Sequence, residues 1–218
     1  MRDNENIKSE VKSLGAKQSR GRPRKFDEAD VLMRLVNLFW DKGYEATSLS
    51  EIVETTGLKK GSLYSLFGGK RDMYLKSLAH YNVQYVKTAC EALRDTSAGL
   101  PGTRLDRFLS SPIEAVTDND DYRGCFLCNA SAETTQRDTD IHSSISAAQD
   151  DIVRALEFVL EEDKPTQDSE LITQRAKSLL VTYTGMRILV RANCDVELLQ
   201  AAKKAALDFS RRSVMRRD

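Results

Sequence analysis

The chain has 218 residues, long enough for two small helical modules sharing a core, and its 33 Lys and Arg against 33 Asp and Glu rule out capture of a polyanion by bulk charge. Only 4 Pro occur, and Gly and Pro are concentrated between periodic segments, so the expected fold class is all-α. No run approaches the roughly 18 apolar residues of a membrane span, and residues 1–25 are too polar for a signal peptide, so the expected location is the cytoplasm with no membrane partner.

Residues 1–25 lack apolar periodicity and are expected to form a flexible basic arm, with 8 basic residues against 3 acidic. Within it, Pro23 stiffens the strip Arg20-Gly21-Arg22-Pro23-Arg24-Lys25, and an extended cationic strip suits a minor groove or a phosphate backbone. Arg22 and Arg24 are therefore candidate DNA contacts. Lys8, Lys12 and Lys17 are read as part of a solubilising tail.

Three short helical segments follow in residues 26–71. In the first, Leu32, Leu35, Val36 and Phe39 recur at helical spacing, and Gly43 ends the pattern. Ser48-Leu49-Ser50-Glu51 has the form of a capping box, with Leu49, Ile52 and Val53 inward on a second helix that Gly57 closes. The third, from Lys59 or Lys60 to Phe67, buries Leu63, Leu66 and Phe67 and leaves Gly61, Ser62, Tyr64 and Ser65 outward. Two lysines stand at its N-terminus, where the helix dipole already favours anions. Two eight-residue helices joined by a glycine-containing turn and braced by a longer one make a helix-turn-helix unit. Charge agrees: residues 1–71 carry 14 Lys and Arg against 10 Asp and Glu, a net of +4, and the remainder 19 against 23, a net of −4.

Arg22-Pro23-Arg24, Phe39, Gly43-Tyr44, Thr47, Ile52 and above all Gly57-Leu58-Lys59-Lys60-Gly61-Ser62-Leu63-Tyr64 with Phe67 and Lys70 form a linked set over about a quarter of the chain. In these residues the chain resembles the TetR family of bacterial transcriptional regulators. It departs where Lys59 replaces a capping serine, Leu66 a tyrosine or histidine, and Gly69 a cap for the fourth helix. The resemblance implies a non-enzymatic, sequence-specific regulator bound to double-stranded DNA at a palindromic operator. Thr47, Tyr64 and Lys70 match the family's backbone-contacting positions, while Ser62 and Ser65 are placed to reach base edges. The expected DNA-binding set is Arg22, Arg24, Thr47, Ser48, Lys59, Lys60, Gly61, Ser62, Tyr64, Ser65 and Lys70.

Residues 72–218 read as further helices forming a regulatory and dimerisation domain. A connector spans Met73 to Arg94, a loop Ser97 to Gly102, and a helix around Leu105, Phe108 and Leu109 is expected to kink or restart at Pro112. A short apolar segment covers Cys125 to Glu133, and a long amphipathic helix runs from Ile141 to Leu160. The pattern breaks around Pro165, and the last two helices run from Leu171 to Ala192 and from Asp195 to Phe209. The resemblance implies that this last pair forms a four-helix bundle with a second copy, giving a homodimer. It also implies a pocket for a small-molecule inducer of unknown identity, for which Tyr81, Tyr85, Phe108, Phe126, Tyr183 and Met186 are the candidate lining. Each of these six is also an ordinary core residue type.

Cys125-x-x-Cys128 is the remaining motif. A second close pair of ligands is lacking, and the only histidines are His80 and His142, so no metal site is expected. Two readings stay open: small buried side chains, or a thiol sensor of oxidants or electrophiles with Arg123 and helix amides lowering a thiol pKa. No glycine-rich phosphate loop and no nucleophile beside a base indicate an enzyme, and no cofactor is expected. The function expected is a repressor released by an inducer. The alternatives are thiol-based release through Cys125 and Cys128, or an activator without ligand control.

Overall fold

A computed structural model describes residues 27–133, 138–163 and 168–211. The basic arm with Arg22 and Arg24, and the expected break at Pro165, lie outside the described residues. Among those described, all regular structure is helical.

α1 spans Glu28–Lys42 and starts at Asp27, whose carboxylate accepts the Ala29 amide at 3.0 Å. Its buried stripe is Val31, Leu35, Val36, Phe39 and Trp40, and it ends at Gly43, whose φ of +84° lies in the region that favours glycine. α2 spans Leu49–Thr56 and opens with the expected capping box. The Ser48 hydroxyl accepts the Glu51 amide at 3.2 Å, and the Glu51 carboxylate accepts the Ser48 amide at 2.8 Å. Gly57 ends it in the left-handed conformation. α3 spans Lys60–Phe67 and sinks Leu63 and Phe67 into the core, with Leu66 half-buried.

The connector is a continuous rod of three parts: α4 over Lys70–Tyr81, a π-helical stretch over Asn82–Lys87, and α5 over Thr88–Arg94. α4 starts three residues before the expected Met73. With no side chain on Gly69 to cap it, the Asp72 carboxylate reaches back to the Gly69 amide at 2.8 Å. After a 3₁₀ turn at Thr96–Ala98, α6 runs over Pro101–Thr117. Of the kink or restart expected at Pro112, the restart is corrected by the structure. α6 continues through Pro112, because the Ser111 hydroxyl donates to the Phe108 carbonyl at 2.9 Å, the acceptor that a proline nitrogen cannot serve.

α7 covers Phe126–Glu133, α8 Thr139–Asp163, α9 Ser169–Arg191 and α10 Val196–Arg211. α1 lies against α2 and α4, and α3 packs on α4. α8 is the central rod, touching α4, α5, α6, α7 and α9, while α10 closes over α6 and α9. One apolar cluster runs unbroken from Val31 to Leu207, so the helix-turn-helix has no separate core of its own. Each fully buried Leu, Ile or Phe in it contributes about 1.5–3 kcal/mol of transfer free energy. Met186, Val190 and Leu199 form a smaller cluster. No described helix is long and apolar enough to cross a membrane.

Candidate nucleic-acid interface and ligand cavity

Lys59, Lys60, Gly61, Ser62, Tyr64 and Ser65 are all exposed along one side of α3, while Leu63 and Phe67 fix the opposite side. Lys59 supplies no side-chain cap, so the first amides of α3 lack a side-chain acceptor and stand beside two cations. The Lys60 ammonium lies 5.7 Å from the Tyr64 ring centroid, and the Lys70 ammonium 4.4 Å from that of Tyr44. Lys70 is thereby half-buried at the start of α4. Ser48 is exposed, but its hydroxyl is also donated to Glu51 at 2.8 Å.

Thr47 departs from its expected role. It is buried, and its hydroxyl donates to the Gly43 carbonyl at 2.6 Å, so it locks the turn between α1 and α2 and offers no hydroxyl to a phosphate. The residue type was legible and its burial was not, because the turn that covers it has no periodicity to read.

Behind this unit, between the connector, α6, α7, α8 and α9, lies a cavity of about 480 Å³. Tyr81, Tyr85, Phe108 and Tyr183 line it. Phe126 and Met186 do not, and both expectations are corrected. Phe126 is fully buried, with its ring edge-on to Tyr74 and Tyr81, and Met186 belongs to the smaller apolar cluster. In their places stand their neighbours Cys125 and Arg187, together with Ser111, Cys128 and Trp40. Trp40 belongs to two places at once. It is 4% exposed, and it is both the last buried residue of α1 and part of the cavity wall.

The two cysteines are half-buried and free. Cys125 caps α7: its carbonyl accepts the Asn129 amide at 2.9 Å. Its thiol pKa falls to about 6, chiefly through a hydrogen bond from the Cys128 thiol. Burial opposes that fall, while the Cys128 amide, the Tyr81 hydroxyl and the charge of Arg187 add to it. Cys128, as the donor of the pair, is pushed up. Burial also raises Tyr81 and keeps it a donor. Arg123 was the cation expected to act on these thiols, and it is committed elsewhere. It pairs with Asp121, donates to Asn37 of α1 at 2.9 Å, and lies with its guanidinium carbon 3.9 Å from the Trp40 ring centroid.

Arg187 was not singled out by sequence, although its i, i+4 spacing from Tyr183 is a readable signal. Its guanidinium donates to the Tyr183 hydroxyl at 3.0 and 2.8 Å and to the Ser111 hydroxyl at 3.0 Å. Burial works against its charge, yet Tyr183, Tyr81 and Cys125 hold its pKa above the ordinary arginine value.

Several polar contacts tie the cavity walls to the DNA-binding unit. Arg191 of α9 donates to the Trp40 and Asp41 carbonyls at 3.3 and 3.1 Å, serving the open C-terminal end of α1. The Glu133 carboxylate at the end of α7 accepts the Tyr44 amide at 2.7 Å. Arg71 of α4 pairs with Asp138 and Asp140 beside α8. Val181 and Ile188 of α9 are 71% and 53% exposed, and Leu198 and Phe209 of α10 are exposed as well. Among the described residues no cluster of side chains could hold a metal ion.

The family model for bacterial regulatory proteins of the tetR family matches residues 34–76, which include α2, α3 and most of α1. The HTH-type transcriptional repressor ComR of Escherichia coli (strain K12) is 30% identical over 194 residues, 84% of this chain and 88% of that protein. The HTH-type transcriptional repressor BdcR of the same strain is 30% identical over 113 residues, 51% of this chain and 56% of that protein. Among solved structures, a cysteine mutant of the TetR family regulator CifR, in complex with 26-base-pair operator DNA, superposes with a TM-score of 0.74. It is 24% identical over 86% of this chain and 98% of that one. The reduced form of E. coli NemR gives 0.70 at 20% identity over 81% and 95%. Helix-turn-helix, fold and relatives therefore agree, and the chain belongs to the TetR family of DNA-binding transcriptional regulators.

Proposed function

We propose that this regulator is a repressor which binds a palindromic operator as a homodimer and is released when a small molecule fills the 480 Å³ cavity. The observation that carries the reading is Trp40, a residue of the DNA-binding unit that is also cavity wall. A ligand there touches α1 directly, so occupancy and the placement of α3 share a free energy. The named repressors among the relatives support the sign of the control. The exposed apolar faces of α9 and α10 support a second copy as the partner, since a two-fold operator calls for a two-fold protein. In this reading residues 26–71 read the DNA and residues 72–218 bind ligand and partner. The decisive experiment is a fluorescence anisotropy titration of the intact protein on the palindrome upstream of its own gene. Binding of two chains per site, weakened by ligand, is the expected result. Failure to bind any palindrome selectively over random duplex would refute it.

A second reading, release through thiol chemistry, has its own observation: the Cys125 thiol sits in the cavity wall with donors that stabilise a thiolate. Its test is operator affinity before and after a quinone or hydrogen peroxide, in the natural protein and in Cys125→Ser/Cys128→Ser. A loss of affinity confined to the natural protein is expected. Equal, unshifted affinity in both would leave the cysteines as packing.

A further inference from the structure

We infer that the cavity takes an organic anion, with the ligand's carboxylate on Arg187 and its apolar body against the aromatic wall. The inference rests on the cavity being a ligand site, and it adds the chemical class of the ligand. Arg187 is the cation of that cavity, and its described partners are neutral: Tyr183 receives two of its N–H groups and Ser111 one. Two acids share the lining with it. Asp121 is held by both ends of the Arg123 guanidinium, at 2.9 and 2.8 Å, and Glu114 is exposed at the rim.

The Cys125 thiol and Asp121 act on Arg187 as nearby charges, but its described hydrogen-bond partners are hydroxyls alone, and the partner that best matches a half-buried guanidinium is a planar oxyanion that accepts two parallel N–H bonds. The hydroxyls on Arg187 serve to aim it. Tyr183 is clamped by its own stack on Phe108, with ring centroids 4.2 Å apart, and Ser111 is fixed by its bond to the Phe108 carbonyl. A cation oriented by half-buried partners that are themselves held in place is preorganised for a ligand, which lowers the ordering cost of binding. Trp40 adds a second feature of the same sign. Its indole N–H is buried with no acceptor among the described residues, and its ring meets Tyr81 and Tyr85 edge-on. A volume of about 480 Å³ lies in the range of small-molecule sites, and an apolar lining with few convergent donors is their usual construction.

The experiment uses the intact protein and pairs of ligands that differ only in charge: 3-phenylpropionate against 3-phenylpropionamide, benzoate against benzamide, and 2-naphthoate against 2-naphthamide. None adds readily to a thiol, so thiol chemistry does not enter. Trp40 is the sole tryptophan and lines the cavity, so its emission reports occupancy, and calorimetry gives the affinity independently. The expected result is that at least one acid binds with a Kd tenfold or more below that of its amide. Arg187→Met should remove that preference while operator binding in the absence of ligand survives. If Arg187→Met does not fold, Tyr183→Phe keeps the ring stack and removes the hydroxyl that aims the guanidinium. It should then weaken the acid severalfold and leave the amide unchanged.

Equal affinity for acid and amide throughout the series, or no binding of any of the acids at millimolar concentration, overturns the assignment. Acid binding unaltered in every folded variant does the same. Release of the repressor by a neutral compound alone would preserve the regulatory reading and remove only the anion.

Discussion

Gly61 holds the second position of α3, and a methyl group built on it meets nothing within 4 Å. Nothing among the described residues needs a glycine there, so Gly61→Ala should raise stability by about 0.4–1 kcal/mol. If DNA approaches the helix at that point, the same change weakens operator binding, and thermal melting with an anisotropy titration separates the two effects. A gain in stability without loss of affinity would take Gly61 out of the interface. Tyr64, exposed beside Lys60, should lose roughly 1–2 kcal/mol of operator affinity as Tyr64→Ala, the scale of a hydrogen bond to a charged group, with circular dichroism unchanged. Unaltered gel-shift affinity would refute that placement. Cys125 offers a pH test. Its folded pKa of about 6 lies below the ordinary thiol value, so the thiolate is present above pH 6 and is lost as the pH falls through it. Alkylation by iodoacetamide, read site by site by mass spectrometry because four cysteines are free, should therefore persist to lower pH at Cys125 than at Cys90, and the reverse order would contradict the hydrogen bonding described. The two lining errors share one cause. Phe126 and Met186 each stand one position from a residue that does line the cavity, about 100° around a helix. Hydrophobicity points to the core, whereas a cavity wall mixes apolar and polar groups, so the stronger apolar residue drew the choice.

At the scale of elements, what was legible followed distance along the chain. The capping box of α2, the closure at Gly57 and the buried pair Leu63 and Phe67 all rest on contacts within a few residues, and periodicity reports those. The restart at Pro112 could not be excluded from sequence, because the Ser111 hydroxyl that serves the orphaned Phe108 carbonyl makes an ordinary side-chain bond that no pattern announces. The cavity could be only half legible, since its walls come from residues as far apart in sequence as Trp40 and Arg187. α7, expected as the short apolar segment Cys125 to Glu133, reaches from the cavity to the turn after α1. It has a cavity thiol at its N-terminal end and at its other end Glu133, whose carboxylate sits where a side chain on Gly43 would go. Gly43→Ala thus meets both a positive φ and a collision with that carboxylate, and should destabilise the protein by at least about 2 kcal/mol. In a protein of this size that is a fall of roughly 4–8 °C in Tm by calorimetry. An unchanged Tm would mean that the Glu133 contact with the α1–α2 turn is dispensable.

For the molecule as a whole, the outward faces of α9 and α10 set the assembly to be measured. Val181→Glu/Ile188→Glu places two charges on the exposed apolar face of α9 and touches neither cavity nor DNA-binding unit. Light scattering should give the natural protein twice its 24.5 kDa and the variant the single value, with operator affinity reduced accordingly. A monomeric natural protein at micromolar concentration would refute the two-fold arrangement. The π-helical stretch Asn82–Lys87 carries a further consequence for the whole. It joins α4, on which α1 and α3 rest, to α5, which is packed against α8, and Gln84, Tyr85 and Val86 of that stretch line the cavity. A π turn accommodates about one residue more than an α turn, so it acts as a phase offset in an otherwise straight shaft. Removing one residue from it would leave a sound α-helix and turn the half bearing Met73 and Leu78 by about 100° relative to the half bearing Cys90 and Leu93. The azimuth of the DNA-reading end is thus stored in a single surplus residue, beside the place where a ligand would press.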